Sequence, residues 1–319
     1  MTRDSRARRW IWLASAAVIV CAGYLMIGDV GGLGVRLGAF GWWAFVASLG
    51  LSLANYSIRF VRWQLYLRRQ RVAVPLGSSA LVFGAGLSLA ITPGKLGELI
   101  KSYLLRELHA VPATRTAPIV IAERVTDLVA LFVIALAGAV VYGVHATLVA
   151  IGGGLVGVGL LLLAWPKPAR ALIDFVTRPR RTRRFREPMQ EMYGGLATLC
   201  GPKLLVAATA IAIPAWTCEC VGFALIVGGF PGAHVELGLA MAIYATTTIA
   251  GALSFLPGGL GVTEGTMAVL LVRTGFQIDQ PTAVDATLLT RVATLWFGVV
   301  LGLVLLVVAR ARIANTTAG

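Results

Sequence analysis

Apolar runs of about 18 to 25 residues recur along the whole chain, each the length that crosses roughly 30 Å of hydrocarbon. The clearest are Trp10–Ile27, Pro118–Val141, Thr147–Trp165, Leu204–Val227 and Ala286–Val308. Lipid offers no hydrogen bonds, so a buried run must satisfy its own backbone, which an α-helix does. Composition agrees: 13% of the 319 residues are charged, whereas a soluble domain carries roughly a quarter. The run Trp10–Ile27 follows Arg3, Arg6, Arg8 and Arg9 as a secretory signal would. No A-x-A-like site follows cleanly, so it reads as a retained span. The expected fold is a single all-α, polytopic membrane domain over residues 1–319. Six full spans are predicted, at about 10–27, 39–58, 118–141, 147–165, 203–228 and 284–309.

The net charge of +14 invites a nucleic-acid reading, but its distribution argues against one. Of the 28 Lys and Arg, 23 fall in five clusters, at 3–9, 59–71, 101–115, 167–203 and 310–312. Arg36 and Arg273 alone fall in the alternate loops. This asymmetry is the positive-inside pattern. It predicts that the N-terminus, the basic loop 166–202 and the C-terminus are cytoplasmic, with the Arg178–Arg186 run against anionic headgroups. Trp42, Trp43, Trp63 and Trp165, with Trp10 and Trp12, sit near span ends and read as interfacial belt residues. The four cysteines have no metal-ligand spacing, and there is no nucleotide loop and no Ser-His-Asp set. No cofactor is expected.

Two apolar regions, 78–105 and 237–274, do not read as single spans. The first is interrupted by Pro93, Gly94, Lys95, Leu96, Gly97 and Glu98. The second is interrupted by Pro257, Gly258, Gly259, Leu260, Gly261, Val262, Thr263 and Glu264. Proline removes a backbone donor and glycine accepts unusual dihedrals, so each region should be a broken, re-entrant hairpin. Basic flanks put both ends of the first on the cytoplasmic side, and span alternation puts both ends of the second outside. Thirty-one residues after Pro93 comes Arg124, and thirty-four after Pro257 comes Arg291. The order of span, broken hairpin and Arg-bearing span thus occurs at about 39–141 and again, inverted, at about 203–309. Such inverted repeats place a substrate site at their interface near the midplane.

An ionised side chain in hydrocarbon costs about 2.5–3.5 kcal/mol on insertion scales, so the charges in these segments are candidates for function. Glu123 and Asp127 share a helix face, and Arg124 reaches Asp127 at i+3. Arg124 and Arg291 are candidate phosphate clamps, because a guanidinium donates bidentately and stays charged. An Arg124–Asp127 pair that merely knits helices is the alternative. Arg291 has no acid three residues on, so it either waits for an anion or pairs at long range with Glu264 or Glu219. Helices restarting after Pro93-Gly94 and Gly258-Gly259 would aim free N–H groups inward, an anion site that Lys95 strengthens. Glu98 and Glu264 would cap those helices or act as titratable gates. Glu219 has no local partner and is a candidate proton relay, or a partner for Arg291. Arg59 and Arg62, where the second span exits, are expected to snorkel to lipid phosphates, with Arg62 also a candidate substrate contact.

The segments Arg59–Trp63, Pro93–Leu104, Glu123–Leu128, Leu256–Gly265 and Arg291–Leu295 together resemble the transmembrane, flippase-like region of lysylphosphatidylglycerol synthases and its stand-alone relatives. The resemblance spans nearly the whole sequence in the expected order. It implies translocation of a lipid across the inner membrane, of a phospholipid, glycolipid precursor or hopanoid type. The family usually has Arg where this sequence has Lys95 and Lys101, which keeps the charge without the fork. The sequence ends soon after Arg312, so aminoacyl transfer is not expected. The reading is therefore a non-enzymatic flippase whose partners are membrane lipids with anionic headgroups. The rivals are a lipid-modifying enzyme and a non-transporting partner of a lipid synthase.

Overall fold

The computed structural model describes residues 30–142, 146–179, 182–274 and 278–318. The span expected at 10–27 lies outside these residues. Helix follows helix: α1 (Val30–Ala39), α2 (Trp42–Arg69), α3 (Leu76–Leu87), α4 (Ile100–His109), α5 (Ala113–Tyr142), α6 (Ala146–Ala164), α7 (Pro166–Val176), α8 (Arg186–Leu199), α9 (Pro202–Gly228), α10 (Leu237–Leu253), α11 (Val262–Arg273), α12 (Gln280–Arg291) and α13 (Phe297–Ala318). Among the described residues there is no strand. The chain is an all-helical, polytopic membrane protein.

Four helices are long and apolar enough to cross a bilayer: α2, α5, α9 and the continuous stretch Gln280–Ala314. A fifth crossing arises where Ala150–Leu161 and Pro166–Val176 are taken together, although they meet at 82°. Of the six predicted spans, five fall among the described residues; four of these are long, apolar helices, and the fifth, 147–165, passes only as part of the bent pair. The segment 166–202, expected as a loop, instead folds into α7 and α8. Its apolar residues recur at helical spacing, and both Pro166 and Pro202 sit in the first turn of a helix, where the missing N–H costs nothing.

Both predicted hairpins are broken as expected. At 1.5 Å per residue, α3 and α4 rise only about 18 and 15 Å, and α10 and α11 about 26 and 18 Å. Packing between the halves is reciprocal. The two long helices α2 and α9 pair with each other, α3 packs on α13, and α10 packs on α5. The two hairpin tips meet. Apolar residues gather in two large cores, one around Trp63, Tyr66, Leu104 and Leu105, the other around Trp216, Phe223, Ile243 and Met267, and in a small cluster of Ile91, Leu260 and Val299.

Candidate functional site at the hairpin tips

The tips share one backbone device. After Pro93, Gly94 and Lys95 both adopt left-handed dihedrals (φ 58° and 55°), and after Pro257, Gly258 and Gly259 do the same (φ 61° and 66°). Glycine takes this conformation freely, whereas an L-residue with a Cβ loses about 1–2 kcal/mol. Lys95 therefore occupies, under strain, the position that Gly259 fills in the other tip. At Gly259 a Cβ would meet Thr263 Oγ1 at 2.7 Å and Gly251 Cα at 3.0 Å. In the first tip the Thr92 hydroxyl accepts from the Gly97 N–H at 2.7 Å. The Lys95 ammonium lies 5.5 Å from the centre of the Trp216 ring, and among the described residues no carboxylate is in ion-pair contact with it.

Behind the first tip is a buried charge network. Arg59, Arg62, Glu98, Lys101, Glu123 and Asp127 are each no more than 5% exposed. Lys101 Nζ bridges Glu98 at 3.0 Å and Glu123 at 2.5 Å, and it sits over the rings of Trp63 and Phe83. Arg62 donates to Asp127 at 2.7 Å and to the Thr126 hydroxyl at 3.0 Å. The Trp216 N–H donates to the same Asp127 oxygen at 3.2 Å. Arg124 contacts Glu98 at 3.4 Å and Asp127 at 3.2 Å, and Arg59 lies 3.8 Å from Glu98. These last pairs attract without all their atoms being satisfied: Arg59 Nε and Nη2 and Arg124 Nε have no acceptor, and Glu98 Oε1 and Asp127 Oδ2 have no donor. Five cations (Arg59, Arg62, Lys95, Lys101, Arg124) face three acids (Glu98, Glu123, Asp127), an excess of two positive charges.

The second tip is closed more simply. Glu264 accepts the Gly261 N–H at 2.7 Å and pairs with Arg291 Nε at 2.6 Å. Arg291 Nη2 also donates to the Gly258 carbonyl at 2.6 Å. Directly after Arg291 the helix widens into a π turn, Val292–Trp296. Such a turn frees carbonyls, and side chains from α2 take them: Ser52 donates to Ala293 O at 2.8 Å and Tyr56 to Thr294 O at 2.7 Å. Glu219, on α9, accepts from the Tyr244 hydroxyl at 2.6 Å.

A cavity of about 260 Å³ opens between the tips. Its wall carries four cations (Arg59, Lys95, Arg124, Arg291) and two acids (Asp127, Glu219), with Tyr56, Trp216 and Tyr244 beside them. Apolar residues such as Leu128, Leu131 and Phe255 complete it. A wall that is cationic by excess, with guanidinium N–H groups unspent, can receive an anion at little reorganisation cost.

Several expectations need correction. Arg59 and Arg62 do not snorkel; α2 continues to Arg69, which places both inside the bundle, Arg59 beside Glu98 of the first tip and Arg62 beside Asp127 of α5. Trp63 is fully buried and donates to the Ser79 hydroxyl, so it is no belt residue, while Trp42, Trp43 and Trp165 are exposed. The first tip has no helix start after Gly94: a 3-10 turn runs from Pro93 to Leu99 and the α-helix begins only at Ile100. In the second tip Glu264 already caps the helix start, so its N–H groups are partly spent. Glu98 caps nothing and serves the basic cluster. Arg291 takes Glu264 as its partner; Glu219 takes Tyr244. Asp285, six residues before Arg291, pairs with Arg36 at 2.5 Å. Tyr56, Trp216 and Tyr244 were not expected at the site, and Arg59 and Lys101 were expected only near the cytoplasmic boundary. Lys101 and Arg59 were legible as charges near apolar runs, whereas the aromatic residues gave no signal apart from the core.

Against known proteins, the sequence matches the family model described as the lysylphosphatidylglycerol synthase TM region over residues 11–302. No curated protein matches it. The chain belongs to the lysylphosphatidylglycerol synthase TM-region family.

Proposed function

We propose that this member of the lysylphosphatidylglycerol synthase TM-region family moves lipids with anionic, phosphate-bearing headgroups between the leaflets of the inner membrane, without chemically converting them. The observation that carries the reading is the cavity between the hairpin tips. It is cationic by excess and bounded by two breaks in otherwise apolar segments. The headgroup would sit among Arg124, Lys95, Arg59 and Arg291 while its acyl chains stay in lipid. Guanidinium suits a phosphate because its planar fork donates two parallel bonds. Glu98, Asp127 and Glu264 would hold the arginines in place when no headgroup is bound, so that the empty site is not a bare cluster of like charge.

The reciprocal pairing of α2 with α9, α3 with α13 and α10 with α5 supports two inverted units, at about 39–141 and 203–309, with the tips entering from opposite faces. Exchange of access would then be a rocking of one unit against the other around the cavity. The basic clusters support cytoplasmic termini.

The test is transfer of a fluorescent phosphatidylglycerol across reconstituted vesicles, read by loss of signal to a membrane-impermeant reductant. Arg124→Ala and Arg291→Ala are each expected to abolish protein-dependent transfer while the protein elutes as the wild type does. Normal transfer by both variants would remove the two arginines, and the proposed headgroup seat, from the mechanism.

A further inference from the structure

A second surface, remote from the cavity, lies on the segment expected to be a loop. α7 follows α6 through an 82° bend at Trp165 and Pro166. The two segments meet at 82°, so they cannot both follow the membrane normal, and an α6 that follows it leaves α7 close to the membrane plane. Its 11 residues rise about 16 Å, too short to cross. The helix is three-sided. Trp165, Leu172 and Val176 recur at spacings of seven and four with Phe175 beside them, and they are 62%, 63%, 46% and 71% exposed. Lys167, Arg170 and Asp174 take the opposite face. Ile173, between the two, is buried against the protein.

Charge distinguishes this stripe from an ordinary lipid-facing one. From residue 166 to 186 the sequence holds eight Lys and Arg and one acid, Asp174, and Asp174 is already paired with Arg186 at 2.9 Å. Arg178, Arg183 and Arg184 are exposed, as is Phe185, over whose ring the Arg184 guanidinium sits at 4.8 Å. An apolar stripe beside a strongly basic polar face is the pattern of a helix seated in the headgroup layer, and each basic residue adds attraction to an anionic leaflet. A neutral or aqueous neighbour would leave either the stripe or the charge unmatched.

We propose that α7 and the arginines that follow it form an interfacial platform that docks on the anionic leaflet of the membrane the chain spans. The apolar stripe inserts below the headgroups and the arginines gather acidic lipids around it. The platform is fixed to the transport core, since α8 packs along α5 and Gln70 of α2 donates to the Gly195 carbonyl at 3.3 Å. The docking does not depend on the transport reading, and it stands or falls by itself.

The test uses the full chain with its four native cysteines replaced and one cysteine introduced, Leu172→Cys on the stripe or Arg170→Cys opposite it. Each carries an environment-sensitive fluorophore, in phosphatidylcholine vesicles containing an equal mole fraction of acyl-brominated phosphatidylglycerol or acyl-brominated phosphatidylcholine. At position 172 the brominated phosphatidylglycerol is expected to quench at least about twofold more than the phosphatidylcholine. Aqueous iodide should quench the label at 170 and leave that at 172 untouched. Adding Arg178→Gln, Arg183→Gln and Arg184→Gln should equalise the two lipids. Equal quenching by both lipids with the arginines intact would overturn the proposal. So would iodide access at 172, which would mark a surface held out for a protein partner. Both overturning results come from the arginine-intact protein, so they hold even where the triple variant does not fold.

Discussion

Arg291 donates to Glu264 at 2.6 Å, and Arg124 stands in the same relation to Glu98 at 3.4 Å. In each half a glutamate just past the hairpin break is held by the arginine of the long helix that follows. The two clasps differ in how exclusive they are. Glu264 serves Arg291 and the Gly261 N–H, whereas Glu98 is shared among Lys101, Arg124 and Arg59. The second tip is therefore tied by one strong contact and the first by several divided ones.

Removing the charge from the exclusive clasp should loosen the second tip. Glu264→Gln keeps an acceptor for the Gly261 N–H but weakens a charge-assisted bond, a loss of about 1.5–3 kcal/mol. Denaturant unfolding in detergent should show that loss together with slower lipid transfer. Unchanged stability would mean that the clasp does not hold the tip.

Lys95 offers a separation of stability from function. Its backbone is left-handed where the other tip has Gly259, so the fold accepts strain to keep a cation beside Trp216. Lys95→Gly should leave stability unchanged or raise it by up to about 1 kcal/mol, yet sharply reduce transfer. Lys95→Arg should retain transfer. A Gly variant that transfers normally would assign the strain to packing alone.

Lys101 shows the opposite balance. It is 1% exposed and joins Glu98 to Glu123, so Lys101→Met would leave two buried carboxylates short of a counter-charge. Breaking a buried pair from one side costs about 3–5 kcal/mol. The variant should unfold at markedly lower denaturant, and Lys101→Arg should recover part of the loss. Wild-type stability in Lys101→Met would indicate that the acids are neutral or otherwise paired.

Much of the fold was legible because lipid allows so few backbone solutions. Run length gave α2, α5, α9 and Gln280–Ala314, and Pro93 and Pro257 gave the two breaks. The site was legible as residue types: Lys95, Glu98, Glu123, Arg124, Asp127, Glu264 and Arg291 all converge on the tips or the network behind them. Pairing was less legible, because contacts such as Arg62 with Asp127 and Lys101 with Glu123 cross between helices. Arg59 and Arg62 were misplaced for a specific reason. Basic residues near the end of an apolar run look like interfacial residues, and only the continuation of α2 to Arg69 reveals that they are inside. The π turn after Arg291 leaves no compositional mark, since its freed carbonyls are satisfied by Ser52 and Tyr56 from another helix.

Close approach of the halves depends on a small residue whose role no motif announces. Gly302 on α13 faces α3, and a Cβ there would stand 2.7 Å from the Leu87 carbonyl carbon and 2.8 Å from Ser88 Cα. Those are backbone atoms, so no side-chain rotation relieves the clash, and the first hairpin would have to move off α13. Overpacking of this kind costs about 1–3 kcal/mol. Gly50 on α2 has nothing within 4 Å of the same built Cβ, so alanine there should be neutral or stabilise by about 0.5–1 kcal/mol through helix propensity. Gly302→Ala should therefore lower the denaturation midpoint and slow transfer, with Gly50→Ala as its matched control. Equal behaviour of the two variants would show that α3 and α13 do not need this contact.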